Sequence, residues 1–181
     1  MLTGCGQILS YAPDSVVGRL IGWQTRFPHD SHTALLYPDG QTVIESYQAQ
    51  TVFAGRTYPS GVRQRPLLAL GRQFQRYDIP EMTPGQWADA LQCAEQERGQ
   101  GYAYRDIARF LLRRDPRTSD PETGGDPDLW FCTELASWSI WKAYRHLQNM
   151  PDAHIAPGML VASPLCERGA ESGGAGGEGH R

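Results

Sequence analysis

The sequence predicts an α+β domain in which an early antiparallel sheet packs against later helices. Three observations carry this. Before Thr83, short apolar and β-branched runs are punctuated by glycine and proline, the pattern of strands. After Thr83, apolar residues recur at helical spacing. Between two of the early runs sits Pro38-Asp39-Gly40-Gln41, a hairpin turn built on Asp-Gly. Apart from one short early helix, strands are grouped first and helices later, which fits α+β better than alternating βαβ units.

Length and composition set the bounds. At 181 residues the chain suits one domain with a single core, and 40% hydrophobic with 20% charged residues is ordinary for a globular protein. Seventeen Lys and Arg against twenty Asp and Glu leave a net charge of −3, so there is no electrostatic footprint for nucleic acid. No apolar run is long enough to span a bilayer. The four cysteines, Cys5, Cys93, Cys132 and Cys166, form no C-x-x-C pair, which argues against a disulfide framework or structural zinc. Leu2-Thr3-Gly4-Cys5 is like a lipoprotein box, but no basic and apolar segment precedes it, so no signal peptide is expected.

In order, Gly6 to Tyr11 reads as a first strand. Ser15 to Thr25 reads as a short helix capped by Ser15, with Val16, Val17, Leu20 and Ile21 on one face. His32 to Tyr37 and Thr42 to Ser46 form a hairpin around the Asp-Gly turn. Gln50 to Ala54, Gly61 to Leu70 and Phe74 to Ile79 supply further strand material. Thr83-Pro84 opens a helix to about Glu97, with Trp87, Leu91 and Ala94 as its stripe and Cys93 as a buried small hydrophobe. A second late helix is expected from Tyr102 to Leu112, then a Pro/Gly/Asp-rich loop from Asp115 to Asp128. A third is expected from about Leu129 to His146. Pro151 to Leu165 reads as irregular apart from Gly158 to Val161. The domain is thus expected over 1–166, with a disordered Gly-rich tail over 167–181.

The chemistry points to Trp130-Phe131-Cys132-Thr133-Glu134-Leu135. A thiol at a helix N-terminus feels the positive end of the helix dipole and unpaired N–H groups, which favour thiolate and offer donors to an oxyanion. The base is sought in the hairpin: His32 opens one strand and Glu45 lies near the end of the other, so the two can sit side by side. A carboxylate beside an imidazole orients a base and stabilises its cation. His29 is a rival base, but precedes the strand in a loop. His29 and His32 lack the companion ligands of a zinc site. Glu134 reads as a local cap, and Trp130 as core or as a wall of the groove.

These residues resemble the YiiX/YebB-like enzymes, circularly permuted relatives of NlpC-type, papain-like cysteine peptidases. The resemblance rests on Ser31-His32 before Leu35-Leu36-Tyr37, on Val43-Ile44-Glu45, and on the late Phe131-Cys132-Thr133-Glu134-Leu135. Gly6 to Leu9, Val17 to Thr25, Tyr102-Ala103-Tyr104 and Pro157 to Pro164 extend it over about residues 4 to 165. Gln7 stands where Asp is common, and Thr133 where Ser is common.

The resemblance implies a small antiparallel sheet or barrel packed on helices, with Cys132 as nucleophile, His32 as base and Glu45 orienting the base. Tyr102 or Tyr104, with Tyr102 preferred, would sit near the oxyanion. It implies hydrolysis of peptide or isopeptide bonds in bacterial cell-wall peptides, with no cofactor and no metal. Without a signal peptide, such an enzyme would be made in the cytoplasm, and delivery by a phage particle or a specialised secretion system, release on lysis and an intracellular substrate all stay open, with a delivery or immunity partner unidentified. Two other readings stand beside it. One is an acyltransferase, thioesterase or lipid deacylase of the lecithin:retinol acyltransferase type, whose Asn-Cys-Glu-His run differs from Phe131-Cys132-Thr133-Glu134. The other is a non-catalytic binding or assembly module.

Overall fold

The computed structural model describes residues 6–11, 19, 23, 32–70, 74–104, 128–148 and 155–169. The turn at Asp39-Gly40 sets the central hairpin. Asp39 Oδ1 accepts the Gln41 and Thr42 N–H groups at 2.8 and 2.9 Å, Thr42 Oγ1 donates to Oδ2 at 2.6 Å, and Gly40 takes φ +65°. The chain reverses there, so β2 (His32–Leu36) pairs antiparallel with β3 (Thr42–Tyr47), Leu35 opposite Ile44 and Leu36 opposite Val43.

Around this hairpin grows a six-stranded sheet. With β1 (Gly6–Tyr11), β6 (Gly61–Pro66), β7 (Gln75–Ile79) and β10 (Glu167–Arg168), its order is β10-β7-β1-β2-β3-β6, antiparallel throughout. Both faces of its centre are covered, which is why β2 is buried at every position and reads as a continuous apolar run. One face carries Ile8, Leu35, Ile44, Val62 and Ile79, packed against helices. The other carries Leu9, Ala34, Leu36 and Val43 under Leu70, with Leu67 and Phe74 against them. Among the described residues no helix is long and apolar enough to cross a membrane.

The helix layer follows from specific signals. α1 (Pro84–Gln96) starts at a reciprocal capping box: Thr83 Oγ1 accepts the Gln86 N–H at 3.3 Å, and Gln86 Oε1 accepts the Thr83 N–H at 2.9 Å. Its stripe of Trp87, Ala90, Leu91 and Ala94 is buried, and the Trp87 indole N–H donates to the Leu36 carbonyl at 3.0 Å. α2 (Cys132–Ala143) contains Thr, two Ser, two Trp and Ile, weak helix formers in isolation. Burial of Leu135, Ala136 and Ile140 against the sheet compensates; a fully buried leucine or isoleucine contributes roughly 1.5–3 kcal/mol. A third short helix, α3 (Pro157–Val161), closes the layer.

Several expectations are corrected. The third late helix begins at Cys132, not Leu129. Leu129–Trp130 form β9, parallel to β8 (Gly101–Tyr102), because the Trp130 carbonyl accepts Ser46 Oγ at 2.6 Å and the Ala103 N–H at 3.1 Å. Tyr102 is therefore strand, Tyr104 is already helical, and the rest of the expected helix, 105–112, lies outside the described residues. The strand expected over Gly61 to Leu70 ends at Pro66 and continues as a 3-10 turn, Leu67–Leu70. Thr51–Phe53 and Arg56–Tyr58 make a separate hairpin, β4–β5. It turns through Ala54 and Gly55 at φ 48° and 76°, the geometry of a type I′ turn. Cys93 is half-buried, not buried. Pairing with β7 also runs past residue 166, since Glu167 and Arg168 form β10; residues 170–181 lie outside the described part, as do most of 15–25, His29 and the 115–127 loop.

One glycine ties the sheet edge to the strand that carries Tyr102. Gly61 sits at φ +95°, and a Cβ there would lie 2.0 Å from the Gln100 carbonyl oxygen. The neighbouring Val62 N–H donates to that same oxygen at 2.9 Å, and Val62 O accepts the Gly99 N–H at 3.0 Å. Gly61→Ala is expected to lose at least about 1–3 kcal/mol from backbone strain. A urea-unfolding free energy within about 0.5 kcal/mol of wild type, the range of an ordinary surface substitution, would contradict this.

Candidate active site

Strand register assembles the site. Tyr11 pairs with His32 across β1 and β2, and Glu45 pairs with Arg63 across β3 and β6. Extending the β2–β3 register sets Glu45 opposite Ala34, diagonal to His32 on the same sheet face, within reach of long side chains. The contact is made: His32 Nε2 lies 2.9 Å from Glu45 Oε2, with both residues buried. The side-by-side arrangement expected from the hairpin is present in the structure.

Glu45 is held on every side. Its Oε2 also accepts the Tyr11 hydroxyl at 2.6 Å. Its Oε1 accepts Arg63 Nε at 3.1 Å, with Arg63 Nη2 at 3.0 Å and Arg65 Nε at 2.7 Å as ion-pair contacts off the hydrogen-bond axis. Burial opposes the carboxylate's charge, but His32, Arg65 and Arg63 overcome it and hold Glu45 far below the usual carboxylate range. The arginines are themselves anchored. Arg63 Nη1 donates to the carbonyls of Ala49, Tyr58 and Pro59 at 2.8, 3.2 and 2.9 Å. Arg65 donates to Ala69 O at 3.0 Å and to the Tyr11 hydroxyl at 3.2 Å. The Tyr47 ring lies 4.5 and 5.3 Å from the two guanidinium carbons and edge-on to His32 at 5.1 Å.

Cys132 reaches this cluster from the helix layer. Phe131 is the N-cap of α2 and Cys132 its first residue, so the thiol lies where backbone N–H groups lack helical partners. Glu134 acts as the local cap, Oε2 accepting the Phe131 N–H at 3.4 Å. Thr133 Oγ1 lies 3.3 Å from Thr33 Oγ1 and 3.7 Å from Cys132 Sγ, docking the first turn of α2 on β2 beside His32.

The thiol and the imidazole lie close enough for each to shift the other's proton affinity. Nε2 faces Glu45, so Nδ1 is the ring nitrogen left for a second partner. Burial alone would raise the thiol pKa; the charge and hydrogen bond of His32, then the Thr33 N–H and Thr133, pull it below the ordinary value. Burial alone would lower His32; the Cys132 thiolate foremost, then Glu45, push it up to about 9. Each group thus favours the charged form of the other.

Tyr102 packs with Ala103 and Phe131 against Cys132, and its hydroxyl pKa is raised by burial and by the charge at Cys132. Tyr104 points elsewhere. It is 55% exposed and its hydroxyl donates to the Gln48 carbonyl. Trp130 is core, its indole N–H donating to Glu97 Oε2 at 3.1 Å and its ring 4.9 Å from that of Trp138.

The structure thus brings together Cys132, His32, Glu45 and Tyr102, and adds Tyr11, Tyr47, Arg63 and Arg65, which the sequence reading left unassigned. One signal for the arginines was present: they alternate with Val62 and Gln64 on a short strand, so they share a face.

No family model matches the chain, and no curated protein sequence matches it. A solved structure does. The crystal structure of YiiX from Escherichia coli O157:H7 superposes with a TM-score of 0.63 over 94% of this chain and 98% of that one. The fold is YiiX-like. Sequence identity is 13%, so the likeness speaks for the fold. YiiX is described as a metalloprotein. Among the described residues, those around Cys132 and His32 do not fit a resident metal. Among the described residues no group of three or more His, Cys, Asp and Glu side chains is arranged to hold an ion. The one carboxylate beside His32 also has Oε1 covered by two guanidinium groups, whose charge opposes a cation.

Proposed function

We propose that the protein is a cysteine hydrolase acting by acyl transfer through Cys132, His32 and Glu45. The observation that carries this reading is the buried His32–Glu45 pair, Nε2 2.9 Å from Oε2, with the Cys132 thiol in the first turn of α2, which docks beside His32 through Thr133 and Thr33. His32 takes the Cys132 proton and the thiolate attacks an amide carbonyl carbon. The resulting oxyanion is met by the Cys132 backbone N–H and the Tyr102 hydroxyl. The C–N bond then breaks, with the amine taking its proton from His32. Water, deprotonated by the same imidazole, attacks the thioester and releases a carboxylic acid and the free thiol.

The favoured substrate class is peptide or isopeptide bonds of bacterial cell-wall peptides, on the strength of the resemblance and the YiiX-like fold. Released amine, assayed on a panel of cell-wall peptides and on unrelated peptides, tests it. Cleavage is expected with wild type and is lost, by about a thousandfold or more, in Cys132→Ala. Equal cleavage by Cys132→Ala would remove the cysteine mechanism. Turnover of thioesters with inert amides would favour the acyltransferase or thioesterase reading.

A further inference from the structure

The cluster behind the imidazole is more heavily charged than orienting a base requires. One carboxylate faces two guanidinium groups, and all three are buried: Glu45, Arg63 and Arg65 are 1%, 2% and 5% exposed. A carboxylate has about four lone-pair sites. Here three nitrogen contacts from two arginines converge on Oε1, while the Tyr11 hydroxyl shares Oε2 with His32. Among the described residues, the groups around His32 are Tyr11 on β1, Glu45 and Tyr47 on β3, Arg63 and Arg65 on β6, and Cys132 on α2, with Tyr102 on β8 beside the thiol. Of the fixed charges among them, Glu45 attracts the ring's proton and the two arginines repel it.

We propose that Arg63, Arg65 and Tyr11 are positioning residues that set the proton affinity of His32 through Glu45. They lock the carboxylate with Oε2 toward Nε2, and they draw its charge away from the ring. The carboxylate's pull on the imidazolium is thereby weakened, and the ring's proton stays transferable to a leaving amine. The contacts predict a hierarchy. Arg65 makes the shortest approach to Oε1, at 2.7 Å, and also donates to the Tyr11 hydroxyl at 3.2 Å, so it links both oxygens. Tyr11 donates to the oxygen that His32 uses, so its hydroxyl competes directly with the ring for that charge. This inference rests on the reading of Cys132 and His32 as nucleophile and base.

The test is the titration of the His32 ring by NMR in the full chain, its resonance identified by its loss in His32→Ala, alongside the pH profile of Cys132 alkylation. In Arg65→Met the carboxylate loses its nearest cation, and the upper midpoint of the Cys132–His32 pair is expected to rise by about one pH unit. Tyr11→Phe removes a donor without changing charge and is expected to give a smaller rise in the same direction. Arg65→Lys, which keeps the cation, is expected to return the midpoint toward wild type. Circular dichroism identifies variants that fail to fold, and if Arg65→Met is one of them, Tyr11→Phe decides. An unchanged or lowered midpoint in folded Tyr11→Phe overturns the proposal. Amide cleavage is a separate readout. If the midpoints move as stated but no amide is cleaved, the hydrolase reading fails alone; if wild type cleaves and the midpoints stay put, the charge-setting proposal fails alone.

Discussion

Glu45→Gln is expected to destabilise the protein by about 3–5 kcal/mol, the cost of removing the anion from a buried ion cluster. The substitution keeps the shape and removes the charge. Arg63 and Arg65 would then be buried side by side with no carboxylate between them, and the new amide NH2 would face either the guanidinium nitrogens or the Tyr11 and His32 donors. Neither orientation satisfies all partners, because an amide offers one acceptor oxygen where the carboxylate offers two. Urea unfolding at neutral pH measures the loss. A value under about 1 kcal/mol would mean that the arginines are satisfied by their carbonyl partners alone, as an ordinary hydrogen-bonded pair would be.

The same cluster fixes the acid side of the stability curve. The folded-state pKa of Glu45 is lowered, so its stabilisation is fully present above the ordinary carboxylate value of 4.5 and is lost as pH falls through the folded value. Wild type should therefore lose stability steeply in acid, and Glu45→Gln, with nothing to protonate at that position, should show a shallower slope. The comparison separates this one carboxylate from the general effect of acid on the other nineteen.

What the sequence disclosed, and what it withheld, follows from the range of the interactions. The β2–β3 hairpin is written locally: Asp39 caps its own turn, the turn fixes the register, and the register carries Glu45 to His32. The capping box of α1 is equally local. The arginines are not. Nothing near Arg63 and Arg65 in the sequence announces their burial; they are buried because Glu45, eighteen residues from Arg63, supplies an anion there. The start of α2 was displaced for the same reason. Leu129 and Trp130 have helical neighbours in sequence, but the Trp130 carbonyl is claimed by Ser46, eighty-four residues away, and the helix begins once that obligation is met. Tyr11 likewise reads as the apolar end of a strand, and its hydroxyl partner becomes visible only when β1, β2 and β3 lie side by side.

His32→Ala is expected to slow alkylation of Cys132 at pH 7 by about a hundredfold, since each unit by which the thiol pKa rises removes tenfold of thiolate. In the wild type, burial works to raise that pKa and is overcome first by the charge on His32 and then by its hydrogen bond. Without the ring, burial is opposed by the Thr33 N–H, the Thr133 hydroxyl and the helix N-terminus, which lack the full charge needed to hold an anion at a site 3% exposed. The thiol should then titrate above its ordinary value of 9.0, where wild type titrates below it. Rates with a small neutral alkylating agent from pH 5 to 10 give both midpoints, with Cys132→Ala supplying the background from the other cysteines. The substitution also opens space beside the sulfur, which by itself would speed the reaction. A fall in rate therefore reports loss of the thiolate and cannot come from access. Should His32→Ala react as fast as wild type at pH 7, the imidazole is not the thiol's counter-ion, and Cys132 becomes a buried thiol at a helix terminus with no base to serve it.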